Sequence, residues 1–232
     1  MQYKIPFKVI KTPEEYVGAL LEKEESFGGP LCFASSFISS IYFSEDAIRR
    51  FYAGGPGDHG AACATLLRRR QLARLRGDRT ARREVYEAAA FTKFLADGTV
   101  HVQDSAYRNR PSEIESVVTE ILHWVHERQT LRIAVTTEVL PIVFAIYSPA
   151  DTVVDIRTNY LYQRIQGFEI KSTGATAAFQ EEFERLWDEA ITQMSTDDVM
   201  SLLAANLQQW REGSQIDLSQ WPRMRQTDRA ID

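Results

Sequence analysis

The sequence predicts an α/β protein with a mixed sheet flanked by helices and a helical C-terminal region. Short apolar runs of strand length occur at 132–135, 142–147 and 152–156, and a fourth at 167–171 leads directly into a helical pattern. In that pattern, from 175 to 190, apolar residues recur every three or four positions. With 232 residues, 44% of them hydrophobic, the chain can bury one sizeable core.

We therefore expect a single α/β domain over residues 1–213. Residues 44–98 form a candidate helical sub-lobe within it, and residues 214–232 form a C-terminal tail. The tail is polar apart from a few side chains, and we expect it to dock through Trp221 and otherwise to be disordered.

Strand and helix signals alternate in the N-terminal half. Residues 4–10 and 31–37 are predicted strands, and a helix begins between them at Thr12-Pro13, because Thr caps well and Pro suits the first helical position. A second helix begins at Ser44. Residues 54–60 hold four glycines and a proline, which predicts a loop.

The middle of the chain is predicted to be mostly helical. Helices are expected at 61–76 and 84–96, then a short strand at 99–103, a loop at 104–111 and a helix at 112–128. After the central strands and their helix, Ser195 begins a last helix that ends at Gly213.

Composition narrows the class of protein. The net charge of −5 is typical of an ordinary acidic soluble protein, no apolar run approaches the roughly 18 residues of a membrane span, and no signal peptide is visible. Cys32 and Cys63 lack metal-type spacing and fit free thiols in a reducing compartment. We expect a cytoplasmic protein with no membrane partner and no cofactor.

An arginine cluster lies at residues 68–83. Its eight arginines and one aspartate carry +7, which leaves −12 for the rest of the chain. Such a cluster either binds phosphate groups of a nucleic acid or pairs with acidic side chains of this chain or of a partner. The candidate phosphate contacts are Arg68, Arg69, Arg70 and Arg74.

Aromatic and charged side chains follow the central predicted strands. Open α/β sheets bind ligands at strand ends, so these residues form a candidate small-molecule site. Its members are Tyr147, Asp155, Arg157 and Tyr160.

Complete catalytic and metal motifs are not found. A di-iron bundle requires two Glu-x-x-His motifs, and this chain has one, at Glu120 and His123. The serines that follow residue 34 are not part of a Gly-x-Ser-x-Gly motif. We assign no catalytic residue and no metal ligand, and we interpret Glu120 and His123 as part of a polar helix face.

Residues 114–190 resemble one half of the phospholipase D fold, with Gly167–Ala190 similar to its closing strand and helix. That family acts through His-x-Lys-x4-Asp, and none of His59, His101, His123 and His126 has Lys two positions later. The resemblance therefore implies a degenerate domain without the phosphodiesterase chemistry.

A second resemblance covers about residues 42–204. Leu66–Leu95 and Phe183–Leu203 are similar to segments of the sensor domains of actinobacterial Xre-type transcriptional regulators. It implies a module that senses a ligand or protein without catalysis. No helix-turn-helix precedes the similar region, so direct DNA binding is not implied.

The hypothesis that follows is a non-catalytic ligand-sensing or protein-interaction module. One alternative is a hydrolase or transferase acting on a phosphorylated or nucleic-acid substrate, suggested by the arginines beside a glycine-rich loop. Another is a nucleic-acid-binding regulator that uses Arg68–Arg83. The partner is a small molecule or a protein, and a homodimer is left open.

Overall fold

A seven-stranded mixed sheet lies at the centre of the computed structural model, which describes residues 7–27, 31–52, 58–77, 81–102, 105–127, 130–140, 142–156 and 167–223. The strands are β1 (Phe7–Ile10), β2 (Cys32–Ser35), β3 (Arg82–Glu87), β4 (Thr99–Val102), β5 (Ser105–Arg108), β6 (Leu131–Thr136), β7 (Ile142–Ser148), β8 (Asp151–Ile156) and β9 (Gly167–Lys171). The α-helices are α1 (Pro13–Phe27), α2 (Glu45–Tyr52), α3 (Asp58–Gly77), α4 (Ala88–Asp97), α5 (Pro111–Glu127), α6 (Thr173–Gln193) and α7 (Thr196–Arg211).

The sheet order is β1-β9-β8-β7-β2-β3-β6. β2, β3 and β6 are parallel to one another, and the other neighbouring pairs are antiparallel. β4 and β5 form a separate hairpin. The predicted α/β class, with a mixed sheet and a helical C-terminal region, is confirmed.

The two faces of the sheet carry different helices. α6 covers one face, where Phe183 and Leu186 pack with Val85, Phe144 and other strand residues. The opposite face carries α1, whose Ala19 packs with β-strand side chains, and the larger core that includes residues of α3, α4, α5 and α7. Alternate side chains of β7 thus reach opposite cores, as the period of two in a strand requires.

The helix predicted at 84–96 is wrong at its start, because Arg82–Glu87 is strand β3 and the helix begins at Ala88. Glu, Arg and Ala favour helices locally, but β3 pairs in parallel with both β2 and β6, and this tertiary pairing outweighs the local preference. Residues 44–98 therefore also contribute a central strand to the sheet.

Two predicted loops are shorter than expected. The loop predicted at 104–111 contains strand β5, which pairs with β4. The predicted loop at 54–60 ends before Asp58, where α3 begins, and residues 53–57 lie outside the described part of the chain.

The last helix begins with a capping box. Ser195 Oγ accepts a hydrogen bond from the Asp198 N–H, and the Asp198 carboxylate accepts one from the Ser195 N–H. Next to the cap, the Thr196 hydroxyl donates to the Ile133 carbonyl of the edge strand β6 at 2.8 Å. The cap thus fixes both the start of α7 and its position at the sheet edge.

We expect Ser195→Ala to lower the free energy of unfolding by about 1 kcal/mol, because it leaves the Asp198 N–H of the first turn without its acceptor. Urea unfolding followed by circular dichroism measures this loss. Ser201→Ala, at an exposed interior position of α7, is the matched control and should not destabilise. A Ser195→Ala protein as stable as the wild type would show that the cap contributes nothing.

Candidate functional site

Strand β3 presents charged and aromatic side chains towards the core beneath α1 and α3. Arg82, Glu84 and Tyr86 alternate along the strand and therefore lie on one side, with Tyr86 in the larger core. Val85 lies on the other side against α6. A carboxylate and a guanidinium thus lie on a strand that is paired on both sides, next to the edge strand β6.

Glu84 has no exposed surface and its carboxylate is surrounded by donors. Its Oε2 accepts hydrogen bonds from the hydroxyls of Tyr42 at 2.7 Å and Tyr86 at 2.8 Å, and its Oε1 lies 2.6 Å from Nε of Arg82. Burial, together with the charge of Glu84, raises the pKa of both tyrosines well above its ordinary value. The two hydroxyls therefore remain protonated donors.

Glu24 of α1 is a second buried acid, with 1% of its surface exposed. Arg74 of α3 pairs with its Oε1 and donates a second hydrogen bond to its backbone carbonyl at 2.7 Å. Burial raises the pKa of Glu24 on balance, although the positive charges of Arg74 and Arg82 act to lower it. Glu24 Oε2 is buried with no hydrogen bond of ordinary geometry among the described residues, although a contact with the Gln71 side chain acts to lower the pKa of Glu24.

We refer to these residues together as the buried ion cluster. Its members are Glu24, Tyr42, Arg74, Arg82, Glu84 and Tyr86. It contains two acids and two arginines, so its formal charges balance. One ion pair of the cluster joins α1 to α3 and the other lies within β3, and the charges of Glu24 and Arg82 act on each other between them. Apolar packing is the usual solution at such a place.

Lys23, the residue before Glu24, forms a second buried ionic contact, the Lys23 triad. Its Nζ lies 2.6 Å from Asp151 Oδ1 of β8 and 2.7 Å from Glu169 Oε1 of β9, and its side chain is 3% exposed. Burial alone would lower the pKa of Lys23, but its hydrogen bonds to both acids raise it on balance. Two consecutive residues of α1 are therefore fixed to different parts of the fold.

Three of the four predicted phosphate-contacting arginines, Arg69, Arg70 and Arg74, form ion pairs within the chain. Both oxygens of the Glu45 carboxylate accept hydrogen bonds from Arg69, at 2.5 and 2.7 Å, and Arg70 pairs with Glu25. Arg74 pairs with Glu24 as described, and the charges of Glu120 and Glu45 act on the half-buried Arg68. The intramolecular pairing that the sequence left open is present, and phosphate contact by these four arginines stays a prediction.

The end of the arginine cluster lies on β3 rather than on a helix. There Arg83 forms a bidentate pair with Glu184 of α6, at 2.5 and 2.6 Å, and lies over the rings of Phe183 and Trp187. This arginine therefore fixes α6 to the opposite face of the same strand.

The four residues of the candidate small-molecule site are only partly described. Tyr147 is 3% exposed, and burial raises its pKa, with a further contribution from the nearby charge of Glu24. Asp155 lies in β8 opposite Val143 and Gly167, while Arg157 and Tyr160 lie outside the described residues. The structure thus places Tyr147 beside the buried ion cluster and leaves the rest of the site a prediction.

The polar pair on α5 has structural partners. Glu120 accepts a hydrogen bond from the Trp124 indole at 2.8 Å, and the His123 ring lies 5.0 Å from the Trp124 ring. Over the described ranges, no three His, Cys, Asp or Glu side chains come together as a metal site. Among the same residues, no helix is long and apolar enough to cross a membrane.

Sequence reasoning missed the acids and tyrosines of the buried ion cluster. The alternation Arg82-x-Glu84-x-Tyr86 is a strand signal, and it was masked because the following Glu-Ala-Ala-Ala run favours a helix. Glu24 lies among several acids of α1, and its sequence neighbours do not distinguish it from an exposed one.

Comparison with known proteins gives little further information. No protein-family model matches the chain, and no curated protein matches it. Among solved structures, it is similar to TrmBL2, an archaeal chromatin protein whose structure shows a novel mode of DNA binding. That likeness has a TM-score of 0.47 and 11% identity, and it covers 82% of this chain and 54% of TrmBL2, so this chain spans about half the length of that protein. We base no inference on a likeness of this size.

Proposed function

We propose that the protein is a non-catalytic ligand-sensing or protein-interaction module in which α1 and α3 respond to binding. The observation that carries this proposal is the buried ion cluster, in which Arg74 of α3 pairs with the buried Glu24 of α1 and the charge of Glu24 acts on Arg82 of the sheet. Buried ion pairs contribute less to stability than apolar side chains of similar volume, and their strength depends closely on geometry. A small displacement of either helix would therefore change the energy of the whole contact.

The chemistry of the cluster supports binding rather than catalysis. Tyr42, Tyr86 and Arg82 all donate to the Glu84 carboxylate, so this acid is already fully hydrogen-bonded. The raised pKa of both tyrosines disfavours a phenolate nucleophile near neutral pH. Glu24 Oε2 makes no hydrogen bond of ordinary geometry among the described residues, and Gln71 is near enough to act on the Glu24 carboxylate, so this oxygen is an acceptor that either Gln71 or a bound donor could satisfy.

The relation to degenerate phospholipase D-like domains and to Xre-type sensor domains belongs to the same proposal. Both resemblances imply sensing without turnover, in agreement with the chemistry of the cluster. The enzyme and the nucleic-acid-binding regulator stay predictions, and the ion pairs of Arg69, Arg70 and Arg74 favour neither.

A thermal-shift screen against nucleotides, metal ions, short DNA and RNA, and metabolites tests the proposal. We expect one class of small ligand to raise the melting temperature. A ligand that binds only the folded state adds about 2.7 kcal/mol to the free energy of unfolding when its concentration is 100 times its Kd. The shift should shrink in Glu24→Gln and persist in the exposed control Glu182→Gln. Turnover of a hit would contradict the proposal, as would stabilisation only by nucleic acid with a salt dependence that Arg69→Ala reduces.

A further inference from the structure

The segment that follows α7 is held by side-chain amides that bind its main chain. The Asp217 N–H donates to Gln209 Oε1 at 2.9 Å, and Asn206 Nδ2 donates to the Asp217 carbonyl at 3.2 Å. Asn206 and Gln209 lie three residues apart and therefore on one side of α7. The N–H and the carbonyl of Asp217 are thus both bound by side chains of α7, and neither of these two hydrogen bonds involves the Asp217 side chain.

A tryptophan anchors the same segment four residues later. Trp221 is 2% exposed, its indole N–H donates to Asn206 Oδ1 at 2.8 Å, and its ring stacks on Phe91 of α4 at 5.2 Å and 21°. Asn206, itself 2% exposed, therefore contacts both the main chain and the anchor. The three residues Phe91, Asn206 and Gln209 define what we call the C-terminal groove.

Exposure along the segment alternates as in a bound peptide. Ile216 and Leu218 pack partly buried against the larger core, while Asp217, Ser219 and Gln220 are exposed. Grooves that bind extended peptides use this combination, in which main-chain hydrogen bonds give affinity and pockets for selected side chains give specificity. A tryptophan in a desolvated pocket is a frequent anchor of such contacts.

We propose that the C-terminal groove is a peptide-binding site that the chain's own residues 216–221 occupy in cis. The partner is a protein segment with two apolar residues two positions apart and a tryptophan three positions further on. This inference deepens the interaction role proposed above and names the class of partner. The cis segment then acts as a competitor that sets the affinity for the partner.

The short connection makes this competition strong. Only residues 212–215 join the end of α7 to the segment, and Gly213 turns the chain with φ of 69°. A short flexible tether gives an effective concentration in the millimolar range, which falls roughly as the −3/2 power of its length. Lengthening the connection should therefore weaken the competitor while leaving every contact in place.

The test measures binding of a fluorescently labelled synthetic peptide of residues 214–223 to the full-length protein by anisotropy. A variant with 20 Gly/Ser residues inserted after Gly213 should bind it roughly tenfold more tightly than the wild type. Trp221→Ala should also bind it more tightly, and adding Asn206→Leu to the insertion variant should abolish the gain. Gln208→Leu, at an exposed position of α7, is the control and should leave the gain intact.

Two results would overturn the inference. One is a folded insertion variant that binds the peptide no better than the wild type. If Trp221→Ala fails to fold, the result for the insertion variant alone decides whether the inference holds. The other is equal binding of a peptide carrying alanine at the Trp221 position. A dimer of the insertion variant would support the groove and identify a second copy as the partner. Because this readout is independent of the small-ligand screen, the two proposals can fail separately.

Discussion

Replacing Arg82 by methionine is expected to lower the free energy of unfolding by about 3–5 kcal/mol. The reason is that Glu84, which has no exposed surface, would keep its two tyrosine donors but lose its cationic partner. Guanidinium unfolding at pH 7, followed by fluorescence and circular dichroism, measures the loss.

Two comparisons make the Arg82 result specific to the buried charge. Adding Glu84→Gln to Arg82→Met should restore a large part of the stability, because the neutral amide still accepts from Tyr42 and Tyr86. Arg185→Met breaks contacts with Glu138, Glu182 and Glu189 at a half-exposed site and should cost less than about 1 kcal/mol. Equal losses for Arg82→Met and Arg185→Met would show that burial of the pair has no energetic consequence.

Replacing Lys23 by methionine should cost about 3 kcal/mol at pH 7, because it leaves the carboxylates of Asp151 and Glu169 close together in the interior. This loss lies at the lower end of the roughly 3–5 kcal/mol that breaking a buried ion pair costs. The reason is that Lys171, 3.2 Å from Glu169, still partly neutralises that carboxylate. Urea titrations across pH measure both the loss and its pH dependence. Lys8→Met, at 67% exposure and 3.9 Å from Glu169, is the matched control and should change little.

The pH dependence distinguishes this ionic contact from a packing effect. In the wild type the pKa of Lys23 is raised above 10.5, so its contribution is complete below that pH and is lost as the pH rises through the raised value. The pKa of Glu169 is lowered below 4.5, so its contribution is complete above pH 4.5 and is lost on acidification. In Lys23→Met, protonation relieves the buried carboxylates, so stability should rise from pH 7 towards pH 5. A variant whose stability falls over that interval would contradict the ionic account.

Much of the fold is predictable because local patterns and tertiary contacts agree there. The apolar runs of β6, β7, β8 and β9 are true strands, and the periodic apolar residues of α6 face the sheet. Ser195 and Thr12 cap helices as expected, since each side chain accepts from a nearby backbone N–H. At the two caps the side chain and the N–H that it binds are three residues apart, so no distant partner is needed to begin the helix.

The candidate site was not predictable because it is formed by contacts between residues that are distant in sequence. Glu84 depends on Tyr42, which precedes it by 42 positions, and Glu24 depends on Arg74, which follows by 50. Charged residues in a central strand also contradict the apolar pattern by which buried strands are recognised. The arginine cluster was visible from composition, but its acidic partners could only be found in the folded chain.

Hydrogen exchange with mass spectrometry on Glu24→Gln measures whether α1 and α3 open separately from the sheet, because this change weakens the contact between α1 and Arg74 of α3. We expect amides of α1 and α3 to lose protection while those of β3, β6, β7 and α6 keep it, with Glu182→Gln unchanged. Such a result would identify the two helices as a unit that opens separately from the sheet. Equal loss of protection in helices and sheet, or no loss at all, would contradict it.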